Sequence, residues 1–427
     1  MVDLFIIADD LTGALDTGIQ FAHCHLKTKI ITKIEFSKSL FTESDIEVLV
    51  VDTESRHLSP SKAYRIIYDL AKLATEAGVK YLYKKTDSGL RGNIGSELAA
   101  ALAASKANFL AFIPALPFMN RVTLHGQQYI DGVLVHKSVF GEDPYNPVRS
   151  SKVKDLFKGV SYPTVLYEKE SNYPTDFTEP TIGIFDAQTN DDLKYIGNYL
   201  NQAKLLKVLA GSTGFAAVLP ELMGVNDVTT KIPELNKRLL VICGSMNPIT
   251  REQIEYGEAK GIARIILSSE QLFEEEFFMT DQGKQWLESL HDKLSEQRVV
   301  MIDTGISQPD TARQYMRDNN IDKEEARTKI SIALGRLLAR FYESKRAYET
   351  TTMIIGGDTL RGFIEIVDSD EINLICEIAL GTVLSQVNVY GGCAQIISKS
   401  GGFGTKELIF EIANQVLSDD INTDKAT

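Results

Sequence analysis

Short apolar runs recur along this chain, and each stops abruptly at charged or glycine-rich sequence. Segments 4–8, 47–51, 80–84, 109–113, 181–185 and 206–209 read as strands in the first half. Segments 239–243, 264–267, 299–302, 352–355 and 395–398 continue the pattern in the second. Helical spacing fills much of the sequence between them. The clearest helix is predicted over 59–77, with Ser59 as cap, Pro60 at the first helical position and Gly78 just past the end. Its Ala63, Ile66, Ile67, Leu70, Ala71 and Ala74 form one apolar stripe. Strands apolar on both faces and joined by helices imply parallel sheets covered on both sides, an α/β fold.

At 427 residues the chain is long enough for two or three domains of roughly 150 residues each. The polar segment 224–236 contains Pro233 and precedes a fresh strand, so the boundary is placed there, giving domains 1–230 and 231–427. Pro144, Pro147, Pro163, Pro174 and Pro180 mark a loop-rich insertion at 140–180, and an acidic, frayed tail is expected from Ser418. The net charge of −13 argues against nucleic acid or an anionic membrane as partner. No apolar run approaches the roughly 18 residues that span a bilayer, and Asp9 and Asp10 come too early for an export signal. Cys24, Cys243, Cys376 and Cys393 show no paired spacing and read as free core thiols, which suits a cytoplasmic protein. His23 and His25 are two apart and make a poor metal pair on a helix.

Ligands of open parallel sheets bind beyond the carboxyl ends of the strands. In the first half these ends bring Asp9 and Asp10; Asp52, Ser55 and Arg56; then Lys84, Lys85, Asp87, Ser88, Arg91, Gly92 and Asn93. Pro114 and Ala115 follow the fourth strand, with Arg121 and Gly126 beyond, and Asp186 and Gly211-Ser212 come later. Arginine holds a carboxylate in a bidentate fork, and carboxylates suit the hydroxyls of a polyol. The composite suggests a small, oxygen-rich, anionic ligand. The simple alternative for Asp9 or Asp10 is a helix cap. In the second half the strand ends bring Gly244-Ser245, Thr304-Gly305, Gly356-Gly357-Asp358-Thr359 and Lys399-Ser400-Gly401-Gly402-Phe403-Gly404. Glycines admit a close backbone approach, and amides at helix starts favour phosphate. A nucleotide-phosphate cradle built from several loops is expected, although no single-loop phosphate-binding motif is present.

Ala8-Asp9-Asp10-Leu11-Thr12-Gly13-Ala14, Asp52-Thr53-Glu54-Ser55-Arg56 and Lys84-Lys85-Thr86-Asp87-Ser88-Gly89-Leu90-Arg91-Gly92-Asn93 resemble a known family, the four-carbon acid sugar kinases. The likeness continues through Pro114-Ala115 with Arg121, Gly244-Ser245 with Thr250 and Gln253, and the 356–359 and 399–404 loops. Gly89 stands where this family usually has Thr and Asp358 where Glu is common, and Ala-Leu-Gly-Thr-Val-Leu-Ser at 379–385 lacks an expected Pro-Gly. The resemblance implies two α/β domains, each with a largely parallel sheet flanked by helices, and an active site in the interdomain cleft. The first would bind the sugar acid and the second the nucleotide, with Ser245, Gly356, Gly357, Asp358, Thr359, Ser400, Gly401 and Gly402 contacting ATP.

The expected reaction is phosphoryl transfer from Mg-ATP, with Mg2+ as cofactor, to a terminal hydroxyl of threonate, erythronate or 3-oxo-tetronate. Arg56 and Arg91 are expected to hold the substrate carboxylate, and Asp9 or Asp10 to orient hydroxyls. One of Asp9, Asp10 and Asp87 would act as base, while Lys85 offsets phosphoryl charge. Asp52, Ser55, Ser88, Gly92, Asn93 and Arg121 complete the substrate set, and no metal ligands are assigned. Sequence leaves the acid sugar and self-association open. Two other classes remain: a Mg-dependent sugar-phosphate phosphohydrolase, and a sugar-acid-binding protein without turnover. Adjacent acids point oppositely in a strand, which speaks against the former.

Overall fold

In a computed structural model, the structure describes residues 2–34, 36–41, 45–143, 146–169, 173, 175–225, 233–305 and 309–418. Residues 226–232 of the expected boundary segment, Pro144, Pro174 and residues 419–427 of the expected tail lie outside these. Two compact units form, Met1–Thr230 and Lys231–Thr427.

The first unit runs β1 (Leu4–Ala8), α1 (Leu11–Ala22), β2 (Thr28–Ile31), β3 (Val48–Asp52), α2 (Pro60–Ala77), β4 (Tyr81–Lys85), α3 (Ile94–Ser105) and β5 (Phe109–Ile113). It continues with β6 (Arg121–Leu124), β7 (Gln127–Ile130), β8 (Val133–Leu134), β9 (Thr164–Tyr167), β10 (Thr181–Phe185), α4 (Asn190–Gln202), β11 (Val208–Gly211), α5 (Thr213–Ala216) and α6 (Leu219–Leu222). Its main sheet is ordered β2-β3-β1-β4-β11-β5-β10-β9, and every pairing in it is parallel. The solid apolar strands have helices to bury both faces: all five residues of β1 are buried, as are Ile67, Leu70 and Ala71 of α2. Helix α2 begins and ends where its signals place it, with Ser59 Oγ accepting from Lys62 N and Gly78 left-handed at φ 80°. After β1 the chain moves to one side of the sheet and later returns across it to β4. That reversal makes the β1/β4 crevice the switch point where ligands bind. The register pairs Ala8 with Asp52, Ile7 with Lys84 and Gly211 with Lys85, so these strand ends finish level. A small antiparallel sheet, β6-β7-β8, precedes the sequence that reads as loop-rich, and β9 adds an edge strand within that sequence.

The second unit runs β12 (Arg238–Cys243), α7 (Pro248–Ala259), β13 (Ala263–Ile266), α8 (Ser269–Phe273), α9 (Asp281–Gln297), β14 (Val299–Asp303) and α10 (Pro309–Asp318). Then come α11 (Lys323–Phe341), β15 (Thr350–Ile355), α12 (Gly357–Ile366), β16 (Glu371–Ala379), β17 (Thr382–Val389), β18 (Gly392–Lys399) and α13 (Leu408–Ser418). Strands β13-β14-β12-β15-β18 are parallel, with β12 and β15 flanking the switch point. β17 and β16 extend this sheet antiparallel, a meander that the reading by solid apolar runs passes over. The unit has its own core around Leu239, Val241, Met301, Met353, Ile397 and Ile412. Cys24, Cys243 and Cys376 are buried, but Cys393 is exposed beside the β17–β18 turn, so the expectation of four core thiols fails there.

Candidate functional site

The first unit's rim is an ion-pair network built on strand ends. Arg56 Nε lies 2.9 Å from Asp9 Oδ2, and its Nη1 lies 2.7 Å from Asp10 Oδ2. One guanidinium thus holds both carboxylates that follow β1. Asp10 also caps α1, its Oδ1 accepting from Gly13 N at 2.8 Å as the cap reading expects, while its other oxygen pairs with Arg56. Asp9 Oδ1 is buried and has no hydrogen-bond partner among the described residues. Burial alone would raise the Asp9 carboxyl, but Arg56, Lys84 and Lys85 hold it below the ordinary carboxylate value. Arg91 grips Asp87 with two nitrogens, Nε to Oδ2 at 2.8 Å and Nη2 to Oδ1 at 3.1 Å, and reaches Asp143 Oδ2 with Nη1 at 3.0 Å. Against burial, Arg56 and Arg91 keep the Asp87 carboxyl well below the usual range.

Two cations at this rim make no ion pair among the described residues. The Arg121 guanidinium donates from Nη1 to Ser88 Oγ at 2.5 Å and finds no carboxylate. Burial, with the nearby Arg91 charge, lowers its pKa despite the attraction of Asp87. Its backbone is pinned to Leu116 by reciprocal bonds of 2.7 and 3.2 Å where the β6–β7 hairpin leaves β5. The Lys85 ammonium lies beside Asp10 and Gly13: a Cβ built on Gly13 would sit 2.6 Å from Asp10 Oδ1 and 2.9 Å from Lys85 Nζ. Glycine at 13 is what lets this lysine approach the start of α1.

Other candidates brace the turns behind the ion pairs. Ser55 is fully buried and donates its Oγ to Glu97 Oε1 at 2.5 Å, while Lys84 Nζ pairs with Glu97 Oε2 at 3.0 Å. Asn93 donates to the carbonyls of Ser55 and Leu58 at 2.9 and 2.8 Å, so it clasps the turn that carries Arg56. Gly92, at φ 88°, packs 3.1 Å from Arg56 Cγ when given a Cβ. Asp52 Oδ1 accepts from Glu54 N at 3.1 Å. These contacts hold the rim in shape. Glu97, Gln128, Phe140 and Asp143 escape the strand-end reading. Gln128 accepts from Thr123 Oγ1 and donates to the Ser88 carbonyl, fixing the loop after β4.

In the second unit the loops after β12, β15 and β18 meet. Gly244 N donates to Ile355 O at 3.1 Å, and Gly356 N to Lys399 O at 3.0 Å. Gly356 adopts φ 115° and ψ 127°, a conformation that glycine tolerates best. A Cβ on Gly244 would fall 2.0 Å from Thr359 Oγ1, and one on Gly401 would fall 2.1 Å from Ser245 Oγ. Ser245, Thr359 and the 400–402 loop therefore form one cradle of backbone and hydroxyls. Helix α7 fastens it: Thr250 Oγ1 donates to Gly401 O at 2.8 Å, and Gln253 Nε2 to Phe403 O and Thr405 O at 3.0 and 2.8 Å. The turn lacking Pro-Gly serves instead through Gly381, whose carbonyl accepts from Ser400 N at 3.2 Å. Buried Lys399 donates to the Ser400 carbonyl at 3.0 Å, and burial lowers its pKa to about 8. Asp358 is turned outward to Arg327, with bonds of 2.7 and 2.8 Å, and Asp303 is held by Arg264 at 2.5 Å.

These pairings bear on metals. Magnesium takes carboxylates together with phosphate oxygens and water; Asp9, Asp10, Asp87, Asp303 and Asp358 each already pair with an arginine, and Asp9 Oδ1 stays unpartnered among the described residues. The trio His125, Glu168 and Asp186 has donor atoms within 4.8 Å of one another, but His125 already pairs with Glu168 and Asp186 accepts from Gly126 N. Both acids after β1 are tied to Arg56, and the phosphohydrolase alternative is not favoured. No helix among the described residues is long and apolar enough to cross a membrane.

Comparison with known proteins agrees with this division. Residues 4–219 match the family model described as a sugar-binding N-terminal domain, and residues 240–409 match that of a nucleotide-binding C-terminal domain. A D-threonate kinase of Salmonella typhimurium is 27% identical over 426 residues, covering 94% of this chain and 95% of that protein. A 3-oxo-tetronate kinase of Brucella melitensis is 23% identical, covering 96% of each. A D-erythronate kinase of Heliobacterium modesticaldum is 27% identical over 60% of each. The fold is also that of the Haemophilus influenzae protein HI1011, with a TM-score of 0.75 at 20% identity over 96% of this chain and 99% of that one. With both domain models matched in order along its length, the chain belongs to the family of four-carbon acid sugar kinases.

Proposed function

We propose that this protein transfers the terminal phosphoryl group of Mg-ATP to a terminal hydroxyl of a four-carbon acid sugar: threonate, erythronate or 3-oxo-tetronate. Residues 1–230 take the acid and residues 231–427 the nucleotide. Magnesium arrives as part of the Mg-ATP substrate, and a reaction fed by ATP suits the cytoplasm. The observation that carries this reading is the pair of cations at the first rim, Arg121 and Lys85, that make no ion pair among the described residues. A half-buried guanidinium without an ion-pair partner is costly and is relieved by an incoming anion.

The roles follow from what each group has free. Arg56 and Arg91 are each already paired with two protein carboxylates, so the substrate carboxylate goes to Arg121, assisted by Ser88. Lys85 offsets the charge of the transferring phosphoryl group. Asp10 receives the proton from the attacking hydroxyl. Its side chain is 24% exposed, whereas that of Asp9 is 3% exposed and that of Asp87 is 8% exposed and clamped by Arg91. Arg56 holds Asp10 in place without burying it, and the free Asp9 Oδ1 accepts from a substrate hydroxyl. In the second unit, amides and hydroxyls of Ser245, Gly356, Gly357, Thr359, Ser400, Gly401 and Gly402 cradle the phosphates. Asp358, turned to Arg327, steadies the start of α12 instead. ADP release screened over threonate, erythronate and their 3-oxo forms tests the proposal. Turnover on at least one is expected, and silence on all of them would refute it.

A further inference from the structure

The segment after β8 brings two side chains to the first rim that have no role above, Phe140 and Asp143. Asp143 completes the Arg91 pairings. The Phe140 ring lies against two guanidiniums at once, with its centroid 5.0 Å from Arg91 Cζ and 5.1 Å from Arg121 Cζ. Like charges repel, and the π face of an aromatic ring offsets this by attracting both. The ring occupies the space that Gly89 leaves empty. A Cβ on Gly89 would fall 2.4 Å from Phe140 Cδ1 and 2.5 Å from Cε1. Gly89 is not left-handed, so its backbone does not demand glycine; the close approach of the ring does. Phe140 is held in turn by Val148 N donating to its carbonyl at 2.9 Å.

We infer that Phe140 is a specificity-determining residue of the acid site and that Gly89 is its seat. The ring fixes the spacing of Arg91 and Arg121, leaving one edge of Arg121 open to a single carboxylate. Beside that edge it presents an apolar wall. A short four-carbon acid fits against such a wall, whereas a longer aldonate would leave hydroxyls unpaired there. The inference rests on Arg121 as the carboxylate anchor.

Three variants test it, Phe140→Ala, Gly89→Ala and the double substitution, with Phe140→Leu as a conservative control for folding. KM and kcat are measured for the four-carbon acid and for five- and six-carbon aldonates. Phe140→Ala is expected to raise KM for the four-carbon acid about tenfold and to narrow its preference over longer acids by a similar factor, with KM for ATP unchanged. Gly89→Ala should act the same way in the wild-type background but add nothing to Phe140→Ala, since it works only by displacing the ring. Phe140→Leu should keep part of the size preference. Additive effects of the two substitutions, or an unchanged preference in Phe140→Ala, would overturn this inference while leaving the kinase reading intact. Wild-type turnover on none of the acids would overturn both.

Discussion

Asp10 performs two tasks with two oxygens, one capping α1 and the other paired to Arg56. The tasks separate by substitution. Asp10→Asn keeps an acceptor for Gly13 N but loses the charge and the proton affinity. Its thermal midpoint should stay within a few degrees of wild type while kcat falls about 10²- to 10⁴-fold, as expected for loss of a general base; near-normal kcat would remove Asp10 from the mechanism. Arg121 supplies the complementary test. Losing a charge-assisted contact worth about 1.5–3 kcal/mol raises KM for the acid roughly 10- to 150-fold, and Arg121→Gln should do so without moving KM for ATP. The buried Lys84–Glu97 pair, by contrast, belongs to stability. Glu97→Gln leaves a wholly buried ammonium short of its counter-charge and should cost about 3–5 kcal/mol, read as a drop in the urea midpoint. Glu97 was hidden from a reading by strand ends because it sits within α3, where an acid next to Leu98 looks like an ordinary surface position.

At the scale of elements, the second unit's cradle depends on strands ending level and on glycines where loops touch. Gly244→Ala would place a methyl group 2.0 Å from Thr359 Oγ1. It should weaken ATP binding in calorimetry, with partial recovery in the double variant with Thr359→Ala; undiminished ATP binding in Gly244→Ala would show that the contact is irrelevant. Lys399 gives the loop a pH response. Burial lowers its pKa to about 8, so its charge beside the 400–402 carbonyls is present below that value and lost above it. ATP affinity should therefore fall as pH rises through about 8, and Lys399→Arg, charged throughout, should flatten the profile. The parallel strands were legible because each is a solid apolar run bounded by glycine or charge. The antiparallel ones were not, though their signals exist. β16 alternates buried Ile372, Leu374 and Cys376 with more exposed neighbours, the period of a half-buried strand. His125-Gly126, Asp131-Gly132 and Tyr390-Gly391 all have positive φ, the tight hairpin turns that X-Gly pairs favour.

For the whole molecule, the division of labour was legible from which residues follow which strands, because parallel topology sends every strand end of a sheet to the same rim. What was not legible is how charges pair there. Arg91 reaches across the sequence to Asp143 and Arg121 to Phe140, contacts that no local spacing encodes. The two units also have separate cores, one around Phe5, Ile67 and Phe112, the other around Leu239, Met353 and Ile412. Unfolding should accordingly show two transitions, with a ligand raising only the one whose native state it binds. Threonate or erythronate should raise one and ATP the other in calorimetric scans. Acid then identifies the first unit independently. Its Asp9 and Asp87 carboxyls are held below their unfolded values, despite burial, by Arg56 and its neighbouring cations. Stability from a depressed carboxyl is fully present above the unfolded value near 4 and is lost as pH falls through the folded one. The transition raised by the sugar acid should therefore lose stability below about pH 4, and Asp87→Asn should lower it at neutral pH while flattening that acid dependence. A sugar-acid-sensitive transition that is indifferent to pH between 4 and 2 would mean that these ion pairs do not hold the first unit together.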